Sequence, residues 1–262
     1  MNKYPHPQTA EPVKRNLRMA KEILIRAKRL IKRGFAMILL QEKIANPKDV
    51  TFMKWNKLTQ MPWFPTQHRI KLLLRCIKEK ILGLDFSMPD RMYDRGREDS
   101  AMYLATEDEM LDKFFSFCEG GNLLDVGSGK GYVLWRAAEA GFSKVGGVEY
   151  DEKLYKICRR NLRSLMLEDR VEVTCCNAVE FRGYGDYDVF YFFNPFVEVV
   201  MEKVMESIVK QCAGKEIVVI YYRPRFVRPV ERFVFLEKIG ELYNEERGYN
   251  ANIYRGKIPK NA

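Results

Sequence analysis

One glycine-rich stretch contains residues whose types and spacing could bind a ligand. Residues 123–133 read Leu-Leu-Asp-Val-Gly-Ser-Gly-Lys-Gly-Tyr-Val, so glycines stand at the alternate positions 127, 129 and 131. Glycine is favoured where the backbone turns sharply or contacts a ligand closely, and the N-terminus of a helix presents unpaired N–H groups. The order predicts a buried strand, a tight loop and a helix that begins near Val133.

The spacing of the glycines discriminates between ligands. In the dinucleotide-binding pattern G-x-G-x-x-G the third glycine comes one residue later, where this chain has Tyr132. Asp125 precedes the first glycine by two residues, and a carboxylate there would repel a pyrophosphate but suit a cation. A glycine-rich strand–helix turn without a ligand is the alternative interpretation.

The stretch resembles motif I, D-x-G-x-G-x-G, of the class I (Rossmann-like) S-adenosylmethionine-dependent methyltransferases. This resemblance implies S-adenosyl-L-methionine as the cofactor, whose ammonium and sulfonium groups are cations. It implies cofactor-binding roles for Asp125, Gly127, Ser128, Gly129 and Gly131.

Two further predicted strands end in residues that suit the same cofactor. The strand 145–150 carries Glu149, 18 residues after Gly131, and an acid near this spacing hydrogen-bonds ribose hydroxyls in nucleotide-binding α/β units. It resembles motif II of the family, with Tyr150 beside it. The strand 171–176 leads into Asn177 and Ala178, where the family usually has an acid that accepts from the adenine amine. The Asn177 carbonyl can accept too, although asparagine is also a common cap.

The predicted fourth strand, residues 188–193, leads into Asn194-Pro195-Phe196. This segment resembles motif IV, the Asn-Pro-Pro-aromatic motif of methyltransferases that modify nitrogens, with one proline instead of two. The Phe-Asn-Pro-Phe form also resembles a group of small bacterial methyltransferases that are distantly similar to the seven-strand histone-lysine class. The resemblance implies that Asn194 and the Pro195 carbonyl accept hydrogen bonds from an acceptor amine. It also implies that Asn194 contacts the cofactor, and that Phe196 or Tyr191 forms an apolar or cation–π wall for the sulfonium.

A tyrosine and a threonine precede an amphipathic helix at residues 110–117. Tyr103-Leu-Ala105-Thr106 resembles the Tyr-x-Pro-Thr segment that closes over the cofactor in the histone-lysine-like class, with Ala105 in place of proline. The resemblance implies cofactor contacts for Tyr103 and Thr106. A packed aromatic is the equal alternative for Tyr103.

The order of predicted elements indicates the fold. A helix at 200–212, an apolar strand at 216–222 and a hairpin around Arg247-Gly248 follow motif IV. Strands that alternate with helices predict an α/β, Rossmann-like, seven-stranded, mostly parallel sheet with a terminal antiparallel hairpin.

The net charge of +10 is concentrated near the N-terminus. Residues 1–95 are strongly basic and contain amphipathic patterns at 12–45 and 67–82, whereas residues 96–262 are slightly acidic. We therefore predict a basic helical N-terminal region, 1–95, and a methyltransferase domain, 96–262. The basic region could cap the domain, bind nucleic acid through residues 12–82, or contact an anionic membrane or an acidic protein.

Several classes of function are disfavoured. The two histidines, His6 and His68, lie outside the motif region, which argues against a hydrolase triad. The six cysteines lack metal-binding spacing, so no metal is expected and buried free thiols are predicted, including the adjacent pair Cys175 and Cys176. The apolar run 35–40 is too short to span a bilayer, and no signal-peptide pattern is seen. These observations predict a cytoplasmic protein without a transmembrane segment.

Three functions remain open from the sequence. The first is a methyltransferase acting on nitrogen of a protein side chain or small molecule, with the N-terminal region and the loop 223–232 forming the acceptor pocket. The second is a nucleic-acid methyltransferase recruited through the basic region. The third is a catalytically silent cofactor-binding partner protein.

Overall fold

The computed structural model describes residues 75–76, 78–87, 103–245 and 247–261. The chain divides into two units, Met1–Ser87 and Met88–Ala262. In the first unit, helical residues run to Ile81 and a turn follows at Leu82 and Gly83, as predicted. The predicted helices before residue 75 and the predicted domain boundary at 95/96 lie outside the described residues. Of the residues 12–82 that could bind nucleic acid, those before residue 75 also lie outside them.

The second unit alternates strands and helices. Its strands are β1 (Asn122–Val126), β2 (Lys144–Glu149), β3 (Val171–Cys175), β4 (Val189–Phe193), β5 (Glu216–Tyr222), β6 (Glu237–Asn244) and β7 (Tyr249–Lys257). Its helices are α1 (Asp108–Phe115), α2 (Tyr132–Ala140), α3 (Glu152–Ser164), α4 (Glu198–Gln211) and α5 (Arg228–Glu231). Two single 3₁₀ turns, Ala178–Glu180 and Tyr184–Asp186, connect β3 to β4.

The strands form one sheet in the order β3-β2-β1-β4-β5-β7-β6. The first five strands in this order are parallel, and β7 runs antiparallel to both of its neighbours. This confirms the predicted mostly parallel, seven-stranded, Rossmann-like sheet with a terminal antiparallel hairpin. The strand order reverses between β1 and β4, and in open α/β sheets ligands bind at the carboxyl ends of the strands at such a switch point.

Helices cover both faces of the central strands, which explains their nearly continuous apolar sequences. In β5, Ile217 through Tyr222 are all buried, and in β4 Val189 through Phe192 are buried. The buried side of α4, including Met201, Met205 and Ile208, packs in the same core as these strands. The loops at the carboxyl ends of these strands therefore follow directly from the packed core.

The prediction that all six cysteines are buried is wrong. Cys158 and Cys212 are buried, but Cys175 is exposed and Cys176 is half-buried. The reason is the position of β3 at the edge of the sheet. Only the first and third residues of this strand, Val171 and Val173, face the core.

Candidate functional site

A cavity of about 440 Å³ opens at the carboxyl ends of β1, β2 and β4. Ligand-binding cavities typically measure roughly 300–1,000 Å³. The residues predicted as site residues line it with one exception: Tyr103, Thr106, Asp125, Gly127, Ser128, Gly129, Glu149, Tyr150, Asn177, Ala178, Asn194, Pro195 and Phe196. Gly131 is the exception.

The three glycines of the β1–α2 loop each allow a different close approach. All three have positive φ, at 92°, 54° and 83°. A Cβ on Gly127 would lie 2.9 Å from the Cβ of Pro195, and one on Gly129 would overlap the Tyr103 ring. A Cβ on Gly131 would lie 2.5 Å from the Cys158 sulfur. The loop is therefore packed against motif IV, the Tyr103 segment and α3 at once.

Gly131 lies behind the loop rather than in the cavity. It is the N-cap residue of α2, and its amide donates to the Ser128 carbonyl over 2.9 Å. Its position turns the chain into the helix, so a direct cofactor contact of Gly131 stays a prediction.

A buried carboxylate lies at the end of β1. Asp125 is 3% exposed and lines the cavity. Burial raises the pKa of Asp125 well above its ordinary value, and the nearby Glu149 raises it further. A cationic group in the cavity would offset both causes, so the ionised carboxylate and a bound cation would stabilise each other.

Glu149 connects the end of β2 to the glycine loop. Its Oε2 accepts from the Gly129 amide at 2.7 Å, and its Oε1 accepts from the Asp151 amide at 2.8 Å. Burial raises the pKa of Glu149 to about 7, although these two hydrogen bonds act in the opposite direction. Each carboxylate oxygen retains capacity to accept from a ligand hydroxyl.

The predicted cofactor-binding pair Asn177 and Ala178 follows the end of β3. The Asn177 side chain accepts from the Val179 amide at 3.0 Å, so it caps the first 3₁₀ turn while also lining the cavity. The cap interpretation is thus observed, and an adenine contact through the second lone pair of the same oxygen stays a prediction. Tyr150 lines the cavity with 48% of its surface exposed, which leaves its ring accessible to a ligand.

Asn194 follows the last residue of β4 and has an unusual backbone. Its φ is +40°, a region that residues with a Cβ rarely adopt. Its Oδ1 is buried and has no hydrogen-bond partner among the described residues. Buried polar groups without partners are rare and call for an explanation such as a ligand. Pro195 and Phe196 are half-buried and continue the cavity wall.

The segment before α1 is fixed to β4 by one hydrogen bond. The buried hydroxyls of Thr106 and Tyr191 lie 2.7 Å apart. Tyr103 packs over Gly129, and the ammonium of Lys130 lies 5.4 Å from the centroid of its ring. Tyr103 is therefore a packed aromatic that also lines the cavity.

The cavity wall also contains polar residues that the sequence does not single out as site residues, namely Tyr132, Asp151 and Arg223. In the sequence Tyr132 only replaces the third glycine of the dinucleotide-binding pattern, and Asp151 only follows motif II. Asp151 caps α3 by accepting from the Leu154 amide at 2.8 Å, a role that an aspartate before a helix could have suggested. Arg223 begins the loop 223–232, which the sequence predicts only as a whole to form the acceptor pocket.

Comparison with known proteins agrees with this geometry. Residues 123–214 match the methyltransferase domain family. The rRNA N(6)-adenosine-methyltransferase metl-5 of Caenorhabditis elegans is 34% identical over 92 residues, which are 34% of this chain and 42% of that protein. The tRNA1(Val) (adenine(37)-N6)-methyltransferase of Shewanella sp. (strain MR-4) is 26% identical over 92 residues, or 33% of this chain and 39% of that protein. The chain thus spans less than half the length of these relatives.

One solved structure with a similar course of the chain is an RNA methyltransferase from Salinibacter ruber in complex with S-adenosyl-L-homocysteine. It has 21% sequence identity and a TM-score of 0.46, and the match covers 60% of this chain and 95% of that one.

Residues 123–214 match the methyltransferase domain family, and they lie in a seven-stranded, Rossmann-like sheet whose predicted motif residues surround one cavity. The cavity fits the predicted cofactor, S-adenosylmethionine, on three observations: its volume, the buried Asp125 carboxylate, and the unpartnered Oδ1 of Asn194. Among the described residues, no helix is both long enough and apolar enough to cross a bilayer.

Proposed function

We propose that the protein transfers a methyl group from S-adenosylmethionine to a nitrogen atom of an acceptor. The observation that carries the proposal is the convergence of Asp125, Glu149 and Asn194, from three different strands, on one cavity. When bound, S-adenosylmethionine supplies an electrophilic methyl group on a sulfonium. The remaining work of the site is binding, alignment and exclusion of water.

The binding roles follow from chemistry and position. Asp125 would hold the cationic amino group, and Glu149 would accept hydrogen bonds from ribose hydroxyls. Asn177 and the Tyr150 ring would contact the adenine. Gly127 and Gly129 leave the space in which Pro195 and Tyr103 approach the loop, so the shape of the cofactor pocket depends on them.

The proposal of nitrogen as the acceptor atom rests on the end of β4. An N–H of the acceptor would donate to Asn194 Oδ1, which otherwise has no partner among the described residues, and to the Pro195 carbonyl. These hydrogen bonds would direct the nitrogen lone pair away from the strand end. Phe196 and the buried Tyr191 border the same cavity and limit the access of water.

The identity of the methyl acceptor is a separate part of the proposal. From the sequence we expect a protein side chain or a small molecule. A nucleic acid is the second candidate, because two curated relatives that match the chain are named as methyltransferases of rRNA and tRNA adenines, and because the region 1–95 is basic. The third function, a catalytically silent partner protein, predicts cofactor binding without transfer.

Transfer of labelled methyl from S-adenosylmethionine into a fractionated lysate tests these functions. Parallel samples are treated with protease or nuclease, and Asp125→Ala serves as the inactive control. Label lost with protease identifies a protein acceptor, label lost with nuclease identifies a nucleic acid, and label that survives both identifies a small molecule. Measurable cofactor binding with no transfer into any fraction would contradict the enzymatic proposal.

A further inference from the structure

The acidic and basic side chains of the cavity wall lie at the ends of different strands. Three carboxylates, Asp125, Glu149 and Asp151, lie at the ends of β1 and β2, where the cofactor is proposed to bind. Among the described residues of the cavity wall, Arg223 is the one basic side chain. It follows the last residue of β5, beside the strand end that carries Asn194.

The position of Arg223 is set by its neighbours. The β4–β5 register pairs Phe193 with Tyr222, so Asn194 and Arg223 are the next residues on adjacent strands. The Arg223 backbone has φ +52°, and its amide donates to the Asn250 carbonyl over 2.7 Å. Non-glycine residues with positive φ are uncommon, and they cluster at functional sites.

The guanidinium of Arg223 is supported on one face and available for hydrogen bonding. Its central carbon lies 4.5 Å from the centroid of the Tyr249 ring, which packs with Phe193 and Tyr222. No carboxylate of the described residues lies within ion-pair distance of Arg223, and the side chain is exposed to the cavity. Stacking on an aromatic ring holds the plane of a guanidinium while leaving its N–H donors free for a planar or tetrahedral oxyanion.

We propose that Arg223 binds an anionic group, a phosphate or a carboxylate, of the methyl acceptor. This inference rests on the proposed function and adds the chemical class of the acceptor. Two N–H donors of arginine match the oxygens of either group. The carboxylates at the cofactor end repel the same group, so the acceptor enters with its anion toward Arg223 and its nitrogen toward Asn194. Arg223 is thus a residue that determines specificity.

A binding experiment on the full chain tests the role of Arg223 without knowledge of the acceptor. The protein is saturated with S-adenosylhomocysteine, and inorganic phosphate, adenosine 5′-monophosphate and benzoate are titrated by calorimetry or NMR. Wild type, Arg223→Gln and Arg223→Lys are compared with Arg225→Gln. Arg225 is a matched control because it lies two residues away, is exposed and stacks on Phe226. Although the loop 223–232 is predicted to form the acceptor pocket, Arg225 and the other residues after Arg223 in this loop do not line the cavity.

The expected result is an anion affinity that falls at least tenfold in Arg223→Gln and less in Arg223→Lys, and changes less than twofold in Arg225→Gln. Preference for phosphate compounds or for benzoate tells which oxyanion the site takes. Equal effects of Arg223→Gln and Arg225→Gln, or no binding of any of the three anions to wild type, would overturn the inference. S-adenosylhomocysteine affinity is measured first in every protein, so a failure of cofactor binding, which would contradict the proposed function, is distinguished from a failure of the Arg223 assignment.

The lysate assay provides a second measurement. Labelled product should be retained by an anion exchanger at pH 8, and Arg223→Gln should reduce labelling at least tenfold relative to Arg225→Gln. Product that passes through the exchanger as a neutral or cationic molecule would overturn the inference while leaving the methyltransferase proposal intact.

Discussion

Asn194 and Arg223 occupy equivalent positions on adjacent strands. Each directly follows one member of the Phe193–Tyr222 pair in the β4–β5 register, each has a positive φ (40° and 52°), and each lines the same cavity. Met166 is the one other non-glycine residue with positive φ among the described residues. Non-glycine residues with positive φ at two adjacent strand ends are typical of a functional site.

The contact between Gly127 and Pro195 gives a first prediction. Gly127→Ala should unfold at lower urea concentration and lose affinity for S-adenosylhomocysteine, because the added methyl meets Pro195 at 2.9 Å and φ is +92°. Gly120→Ala is the matched control, since its φ is +89° and nothing lies within 4 Å of the added Cβ. The positive φ alone costs alanine about 1–2 kcal/mol in either variant. Gly127→Ala should therefore lose more stability and more affinity for S-adenosylhomocysteine than Gly120→Ala does. Equal loss of stability in the two variants would show that Pro195 can shift away from the added methyl group without lowering the free energy of unfolding.

The hydrogen bond between Thr106 and Tyr191 gives a second prediction. Tyr191→Phe and Thr106→Val should each lower the free energy of unfolding by about 1–3 kcal/mol, since each leaves a buried hydroxyl without its partner. The double variant should be destabilised by less than the sum of the two. Urea unfolding of the four proteins measures this coupling, and Thr106→Ser, which keeps the hydroxyl, is the control. Strict additivity would mean that the two hydroxyls do not interact.

The raised pKa of Glu149 gives a third prediction, on the pH dependence of cofactor binding. The ionised carboxylate accepts hydrogen bonds from ribose hydroxyls better than the protonated acid does. Because its pKa is about 7, the dissociation constant of S-adenosylhomocysteine should rise about tenfold from pH 8 to pH 6. The raised pKa of Asp125 acts in the same direction. Calorimetry across this range measures the dependence, and Glu149→Gln should bind more weakly and with a shallower pH profile. An affinity that is constant, or that increases toward pH 6, would contradict the assignment of Glu149.

Two adjacent thiols report on occupancy of the cavity, which is the basis of the fourth prediction. Cys176 lines the cavity, whereas Cys175 is exposed outside it. S-adenosylhomocysteine should therefore slow alkylation of Cys176 by iodoacetamide at least fivefold and leave Cys175 unchanged. Mass spectrometry of the Cys175→Ser and Cys176→Ser variants separates the two rates. Protection of both thiols, or of neither, would mean that the ligand binds elsewhere.

The sequence predicts the elements well where their patterns are local. The strand Glu216–Tyr222 is found with the predicted bounds because its apolar run is uninterrupted. The predicted helix 200–212 is found as Glu198–Gln211, and the predicted hairpin around Arg247-Gly248 is found as the strands Glu237–Asn244 and Tyr249–Lys257. Most of the predicted site residues line one cavity, because the carboxyl ends of parallel strands share one edge of the sheet.

What the sequence does not predict depends on neighbours that are distant in the chain. The exposure of Cys175 follows from β3 being an edge strand, which its own sequence does not show. Gly131 matches motif I but does not line the cavity. It is the N-cap residue of α2, and it leaves space for the Cys158 sulfur. Arg223 becomes a cavity residue only because β5 pairs with β4 in a register that places it beside Asn194.

Binding of S-adenosylhomocysteine to the full chain, measured by calorimetry at pH 8, tests the central claim most directly. Wild type should bind one equivalent, and Asp125→Asn should bind at least tenfold more weakly, because the variant lacks the buried carboxylate for the ligand ammonium. Asp169→Asn is the control, since Asp169 is exposed and does not line the cavity, and its affinity should equal that of wild type. No binding to wild type, or equal affinities of wild type and Asp125→Asn, would contradict the assignment of this cavity as the cofactor site.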